Sequence, residues 1–215
     1  MRLRFLLTRL WCIAVLVLAT PVFAATLDKG KLEVSWFSDD AVFREADDID
    51  YLWVSEGFEP DGKSLHFKPW SDPKFLGPNA PERDEKDHQL AKMMTSTMHE
   101  VFSRAFAKAY GDRLKTSLES GDILVEGRIV DCSTGSTAAK MWVGFGAGAG
   151  NTTIDVRFVD AKSGKVLAGF HHRVVSGTGW STTEGKFFNW VEDTAKNFAK
   201  KGFQKLYAKG KKVKD

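Results

Sequence analysis

The glycine-rich run over residues 141–150 constrains the fold and function of this chain more than any other feature. Its glycines stand at four alternate positions, Gly144, Gly146, Gly148 and Gly150. A backbone of this composition can adopt positive φ or approach another surface closely. Residues 151–160 then alternate polar with apolar side chains, which predicts that the run leads into a strand. Phosphate-binding glycine loops lead instead into a helix, whose N-terminal amides hold the anion, so the run argues against nucleotide binding.

Two roles remain open for this run. Its glycines can permit close packing of a helix onto the sheet, or the run can form a loop that presents Trp142 and Phe145 to a partner. Residues 177–180 also interrupt the strand pattern, and this segment ends in Trp180. Tryptophans beside glycine or proline, Trp70 included, are expected near the surface. The candidate binding residues are Trp142, Gly144, Phe145, Gly146, Gly148 and Trp180.

The first 24 residues have the signature of a secretory signal peptide. Arg2, Arg4 and Arg9 precede an apolar stretch, and Pro21 leads into a small-residue end that is suited to cleavage after Ala24. The pattern of a lipoprotein cleavage site is missing in front of the cysteine of this segment. We therefore expect a periplasmic protein that is cleaved but not lipidated, with one domain over residues 25–210 and a basic tail over residues 211–215.

Charge is distributed unevenly along the chain. Without its signal peptide the chain is formally neutral, yet residues 196–215 hold eight lysines and one acid, which leaves residues 25–195 with seven net negative charges. A neutral chain with an acidic body argues against a nucleic-acid binder. The lysines indicate a solvated helix end or, as the alternative, a contact with an anionic lipid or polymer. Cys132 is the one cysteine outside the signal segment and is expected to be buried.

Periodicity predicts an α+β fold. Apolar residues recur every three or four positions over residues 84–110, before Gly111, and a second helix over residues 181–208 starts at a capping box, Ser181 to Glu184. The strands are expected at residues 30–37, 51–54, 64–70, 112–119, 123–131, 154–160 and 165–175, with hairpins over 51–70 and around 161–164 and a loop over 71–83. These elements predict a mixed, mostly antiparallel sheet with two amphipathic helices packed on one face.

Three segments resemble a family of exported bacterial envelope proteins. They cover residues 127–135, 139–148 and 156–167, and include a Gly-Phe-Gly-Ala-Gly motif between two strands. The fold of this family is similar to the amino-terminal domain of TolB and to curli-secretion lipoproteins. This chain departs from the pattern in lacking a lipidation cysteine and in its longer insertion at residues 71–83. The resemblance implies an envelope location and supplies no enzymatic activity.

The sequence contains no strong motif for catalysis or for a cofactor. Residues 144–149 match G-x-G-x-x-A, but a strand rather than a helix is predicted to follow. His171 and His172 are adjacent in a strand and so point to opposite faces, while His99 lacks the second histidine of H-E-x-x-H. No G-x-S-x-G motif is present. We therefore expect no catalytic residues, no metal and no cofactor.

The sequence predicts a non-catalytic periplasmic protein that binds a protein or another envelope component. A different class is a small-ligand or lipid carrier, with a groove between the first helix and the sheet that is lined by the adaptable side chains of Met93, Met94 and Met98. A hydrolase is the weakest alternative, since no catalytic motif supports it. The expected partner is an envelope protein or a lipid, and neither nucleic acid nor nucleotide. The sequence leaves the oligomeric state open.

Overall fold

In the computed structural model, which describes residues 27–135, 150–175 and 183–214, an eight-stranded mixed sheet carries two long helices on one face. The strands are β1 (Arg44–Ala46), β2 (Ile49–Val54), β3 (Ser64–Phe67), β4 (Lys115–Ser117), β5 (Ile123–Ser133), β6 (Asn151–Asp160), β7 (Val166–Val175) and β8 (Lys211–Lys212). The helices are α1 (Val34–Phe37), α2 (Glu85–Tyr110), α3 (Thr183–Lys201) and α4 (Phe203–Lys209). Short 3-10 turns occupy Asp28–Gly30, Ala80–Glu82 and Gly111–Arg113.

The strand order is β4-β3-β5-β6-β7-β2-β1-β8. Strand β3 is parallel to both of its neighbours, and every other pairing is antiparallel. The predicted fold class is thereby confirmed. The hairpin between β6 and β7 is also confirmed, with Gly164 at φ +73° in its turn, a backbone conformation that glycine adopts without the steric cost of a side chain.

The main core lies between the sheet and the pair α2 and α3. Helix α2 begins at a capping box, in which the Asp84 side chain accepts a hydrogen bond from the Asp87 amide, and it ends at Gly111 as predicted. Its apolar stripe includes Met94, Met98, Phe102 and Phe106, each at most 1% exposed. The burial of this stripe against β5 and α3 supplies the stability that helical propensity alone does not.

The strand predicted over residues 30–37 is wrong. This part of the chain forms the 3-10 turn at Asp28–Gly30 and helix α1, and it lies across the sheet face opposite to α2 and α3, which we call the outer face. Leu32 and Phe37 are buried there with Phe43 and Trp53 in a second, smaller apolar cluster. The alternation of the segment does place apolar side chains on one side, but tertiary contacts bury them without a strand. We call residues 27–43 the N-terminal strap.

The hairpin predicted over residues 51–70 is also wrong. Strand β2 pairs with β7 and β1, whereas β3 pairs with β5 and β4, so that three strands separate them in the sheet. The chain does turn between the two strands, where Gly62 has φ +76°. Local signals show that two strands exist and that the chain turns between them, but they do not show which strands become neighbours.

Two details of the second predicted helix need correction. Gly202, at φ +79°, divides it into α3 and α4, and a Cβ atom there would lie 2.9 Å from a carboxylate oxygen of Glu59. Phe187 rather than Phe188 is the fully buried residue in its first turns. Ser181 of the predicted capping box lies outside the described residues. Within the described ranges, no helix is both long and apolar enough to cross a membrane.

Trp70 is buried at 7% exposure, contrary to the expectation that it approaches the surface. Its indole packs on Phe102 and lies over the Cα atom of Gly127, where any side chain would collide with the ring. The proline in front of Trp70 therefore indicates the end of β3, and it does not indicate that the tryptophan is exposed. Cys132 is buried without a disulfide, which confirms the expectation, and burial raises the pKa of its thiol to about 11.

Candidate functional site

The predicted binding residues Trp142, Gly144, Phe145, Gly146, Gly148 and Trp180 lie outside the described residues. The structure does place the strand ends that border their two segments. Ser133 at the end of β5 pairs with Asn151 at the start of β6, and Asn151 pairs with Val175 at the end of β7. These three residues are side by side at one end of the sheet, which we call the glycine-run end. The glycine run and the segment of Trp180 therefore both attach there.

A single carboxylate ties the glycine-run end to helix α2. The Oδ1 atom of Asp87 accepts hydrogen bonds from the backbone amide of Thr134, at 2.7 Å, and from its hydroxyl, at 3.0 Å. The Oδ2 atom of Asp87 accepts from the Asp84 amide and completes the capping box. The end of β5 is thus joined to the first turn of α2. Val175 is 43% exposed at this end, which leaves an apolar side chain available to solvent.

A buried charged cluster lies on the outer face of the sheet. Arg128, Asp155 and His171 stand opposite one another on β5, β6 and β7. The guanidinium of Arg128 donates to the Asp155 carboxylate at 2.8 Å from Nε, and the Nη2 atom lies 2.7 Å from the same oxygen. The other carboxylate oxygen lies 2.6 Å from Nδ1 of His171. Asp155 and His171 are fully buried, so their charges must be compensated by each other and by their neighbours.

The N-terminal strap supplies the remaining partners of this cluster. Asp28 lies 3.1 Å from Nε2 of His171, and Glu33 accepts a hydrogen bond from Arg128 at 2.8 Å. The Trp36 ring lies against two guanidinium groups, those of Arg128 and Arg157, at 4.4 and 4.5 Å. These contacts are charge-assisted or cation–π interactions, which gain strength when water is excluded. The strap is therefore held on the outer face by specific polar contacts as well as by its apolar cluster.

Asp131 forms a second buried ion-pair group beside the first. Its carboxylate lies 2.7 Å from Lys31 of the strap and accepts two hydrogen bonds from Arg83, from Nε at 2.7 Å and Nη2 at 3.1 Å. Burial by itself raises the pKa of Asp131, but the hydrogen bonds from Arg83 and Lys31 outweigh it and hold that pKa below its usual value. Asp131 thereby joins the strap to the loop that precedes α2.

The chemistry of His171 follows from its surroundings. Burial alone lowers its pKa, but the hydrogen bonds to Asp155 and Asp28 outweigh burial and raise the pKa to about 9. The imidazole therefore carries a proton at neutral pH and is held between two carboxylates. A protonated, fully buried imidazole is not poised to accept a proton from a substrate. Among the described residues, no group of three or more His, Cys, Asp or Glu side chains is placed to hold a metal ion.

His172 confirms the predicted opposition of the two adjacent histidines. His171 faces the strap on the outer face, whereas the ring of His172 stacks on Trp190 of α3 at 4.3 Å. The space between α2 and the sheet, where a carrier groove was considered, is filled by side chains. Met94 and Met98 are buried in it, and Met93 instead points to solvent at 52% exposure.

Comparison with known proteins assigns the chain to a protein family. Residues 54–182, more than half of the chain, match a family that is described as a domain of unknown function, DUF4410. The chain belongs to this family. The matched range includes Arg128, Asp155 and His171, together with both segments that attach at the glycine-run end. It leaves out the strap and the lysine-rich C-terminal part. No curated protein matches the chain.

Several solved structures are similar to the chain at low identity. The PelC dodecamer from Paraburkholderia phytofirmans is 5% identical, with 67% of this chain and 92% of that chain covered and a TM-score of 0.44. Protein XCC0632 from Xanthomonas campestris, a DUF330 protein, is 9% identical, with 72% and 91% covered and a TM-score of 0.40. We draw no functional conclusion from likenesses at this distance.

Sequence reasoning missed the buried charged cluster, although a signal for it exists. Along β6 the polar residues Asn151, Thr153, Asp155 and Arg157 recur at every second position, which defines a polar face. Such a face is normally solvated, and nothing local shows that the strap will cover it. The sequence therefore does not predict that these charged residues are buried.

Proposed function

We propose that this chain is an exported, non-catalytic domain of the bacterial cell envelope that binds a protein or another envelope component at the glycine-run end of its sheet. The observation that carries the proposal is the register of Ser133, Asn151 and Val175 on three neighbouring strands. Two segments that contain aromatic residues attach to adjacent strand ends. Loops placed side by side on a rigid sheet are a common way to build a binding surface.

The rigid base of this end supports a binding role. Asp87 joins the first turn of α2 to Thr134, which directly follows β5. A surface whose supports are fixed loses less conformational entropy when a partner binds. Trp142, Phe145 and Trp180 would then serve as the aromatic anchors, since aromatic side chains are enriched at interfaces and tryptophan is a frequent binding hot spot.

The absence of catalysis is supported by how the acid–base groups are used. His171, Asp155 and Asp131 are buried and engaged in ion pairs, and His171 and Asp131 pair directly with the strap. A general acid or base must reach the reacting atoms of a substrate, and these groups do not reach solvent. Their arrangement therefore favours a structural role.

The envelope location rests on the sequence of the first 24 residues and on the resemblance to exported proteins with a Gly-Phe-Gly-Ala-Gly motif and a TolB-like fold. We propose that cleavage after Ala24 yields a periplasmic protein without a lipid. A carrier of small ligands remains the alternative. The filled space around Met94 and Met98 favours the binding role, because a carrier groove at this place would require the core to open.

The test is a capture experiment with the mature chain and three variants. Phe145→Ala removes the proposed anchor, Gly146→Val tests a packing role for the run, and Leu118→Ala is the control, an exposed apolar residue directly after β4 at the far edge of the sheet. Each protein is incubated with envelope extract, the captured partner is identified by mass spectrometry, and its affinity is measured after purification.

We expect Phe145→Ala to melt like the parent and to bind the partner about tenfold or more weakly, as for the loss of an aromatic anchor. Leu118→Ala should bind normally. If Gly146→Val melts at a lower temperature while Phe145→Ala binds normally, the run serves packing and the proposed site is wrong. If envelope extract yields extracted lipid and no stoichiometric protein or envelope component, the carrier alternative replaces the proposal.

A further inference from the structure

A lysine-lined cavity lies at the edge of the sheet formed by β1 and β8. It has a volume of about 380 Å³ and is bordered by four lysines, Lys201, Lys205, Lys209 and Lys211. Ligand cavities in proteins commonly have volumes of a few hundred cubic ångströms. The cavity is separate from the glycine-run end and from the buried charged cluster, because no residue of either lines it. We call it the lysine groove.

The fold builds this groove from the break at Gly202. The break lets α4 turn so that Phe203 and Leu206 enter the core while Lys205 and Lys209 stay exposed. Gly210 then brings the chain directly against β1, where a side chain would collide with the Glu45 carbonyl oxygen. Strand β8 follows at once and pairs with β1, which adds Lys211 to the wall of the cavity.

Two lysines of the groove repel each other within one helix. Lys205 and Lys209 are four residues apart in α4, and like charges at this spacing destabilise a helix. Lys201 is paired with Asp47 at 2.6 Å, and hydrogen bonding to Lys201 lowers the pKa of that carboxyl. Among the described residues, Lys205, Lys209 and Lys211 form neither an ion pair nor a side-chain hydrogen bond, and Lys209 interacts with Asp47 through its charge alone. These three ammonium groups are available to a ligand.

The chemistry of the lining indicates the ligand. With four lysines and the carboxylates of Glu45 and Asp47, the groove carries a net charge of +2. A phosphate monoester carries about −1.5 to −2 at neutral pH and presents three acceptor oxygens. Lysine ammonium groups are common phosphate ligands, which act as mobile point charges. Leu206 and Ala46 add an apolar part to the lining, on which a short carbon chain can lie.

We propose that the lysine groove binds a ligand that carries a phosphate monoester. This chemistry has two sources, a soluble phosphorylated metabolite and the head group of an anionic lipid. The proposal does not depend on the proposed partner-binding site, because the two use different residues. It also assigns a use to four of the eight lysines in residues 196–215.

The experiment uses the mature full-length chain and two double variants. Lys205→Gln with Lys209→Gln removes two free ammonium groups from the groove. Lys212→Gln with Lys214→Gln is the matched control, since it changes the net charge equally in the same part of the chain without touching the lining. Binding of sn-glycerol 3-phosphate is followed by titration calorimetry, with glycerate as the carboxylate analogue. A second arm measures flotation with phosphatidylcholine vesicles, with and without phosphatidic acid.

The parent is expected to show saturable binding in at least one arm. It should prefer glycerol 3-phosphate to glycerate, or vesicles that contain phosphatidic acid to vesicles of phosphatidylcholine alone. The groove variant should bind about tenfold or more weakly, the loss of a charge-assisted hydrogen bond or more, and the control variant within about twofold of the parent. Binding of glycerol 3-phosphate identifies the soluble source, and binding only to vesicles with phosphatidic acid identifies the lipid. Equal weakening in both variants, or no saturable binding in either arm, overturns the proposal.

Discussion

The Nδ1 atom of His171 lies 2.6 Å from the Oδ1 atom of Asp155, and neither side chain is exposed to solvent. Because Asp28 of the strap holds the other ring nitrogen, this histidine joins the middle of the sheet to the segment that covers it. A protonated imidazole between two carboxylates is stable only while both carboxylates stay in place. The attachment of the strap is therefore coupled to the protonation of one residue.

The stability of the protein should depend on pH through His171. Its pKa is about 9 in the folded state and about 6.5 in the unfolded chain, so the folded state binds the proton more tightly. The resulting stabilisation is fully present below about pH 6.5 and is lost as the pH rises through about 9. Urea unfolding measured across this range should give a free energy of unfolding that decreases as the pH rises. His171→Gln should be less stable and should have a flatter profile, and a parallel profile would contradict the assignment.

Removal of the Asp155 charge should be strongly destabilising. Asp155→Asn leaves Arg128 and the protonated His171 with one carboxylate fewer in a buried site, and breaking a buried pair in this way typically costs about 3–5 kcal/mol. Chemical denaturation measures the change. The same substitution at Asp193, whose pair with Lys196 is exposed, should leave the unfolding midpoint nearly unchanged. If the two variants are equally stable, the cluster contributes little.

Gly169 should be intolerant of a side chain because of the strap. A Cβ atom at this position of β7 would collide with the ring of Phe37. Gly169→Ala is therefore expected to cost about 1–3 kcal/mol through overpacking. The smaller side chain of Phe37→Leu should recover part of this loss in the double variant, and a double-mutant cycle measures the coupling. Additive effects would show that the strap can move aside without cost.

Substitution of Gly164 tests a backbone conformation and not side-chain packing. A Cβ atom there would meet open space, but φ is +73°, so Gly164→Ala should destabilise the protein by about 1 kcal/mol. Gly185, which is exposed in the first turns of α3, is the control of opposite sign. Gly185→Ala should be neutral or stabilising by a few tenths of a kcal/mol, because alanine favours the helix. Thermal and chemical denaturation of both variants decide the matter.

The mature N-terminus is expected to be Ala25. Mass spectrometry of the protein released from the periplasm should find a chain that begins at this residue and carries no lipid. Retention in membranes after high-salt washing, with a lipid on the first residue, would contradict both the cleavage site and the proposed location.

Helix α2 shows how much a local pattern can determine. Its apolar stripe, its capping box and the glycine after Tyr110 lie within one stretch of sequence, and the predicted bounds differ from the structure by one residue. The hairpin from β6 to β7 has the same character, because alternation and turn chemistry act between neighbours in the chain. The sequence does not predict that the helix breaks at Gly202, because apolar periodicity continues across this residue. In the structure Gly202 has φ +79° and lies against the carboxylate of Glu59.

Local signals in the sequence predict the α+β class, the long helix that ends at Gly111, the turn at Gly164 and the burial of Cys132. Long-range contacts set the other features: three strands separate β2 from β3, residues 27–43 form a strap, and Asp155 and His171 are buried beneath it. The physical reason is that alternation specifies which side of a strand a residue faces. It carries no information about which strand, or which distant segment, will cover that side.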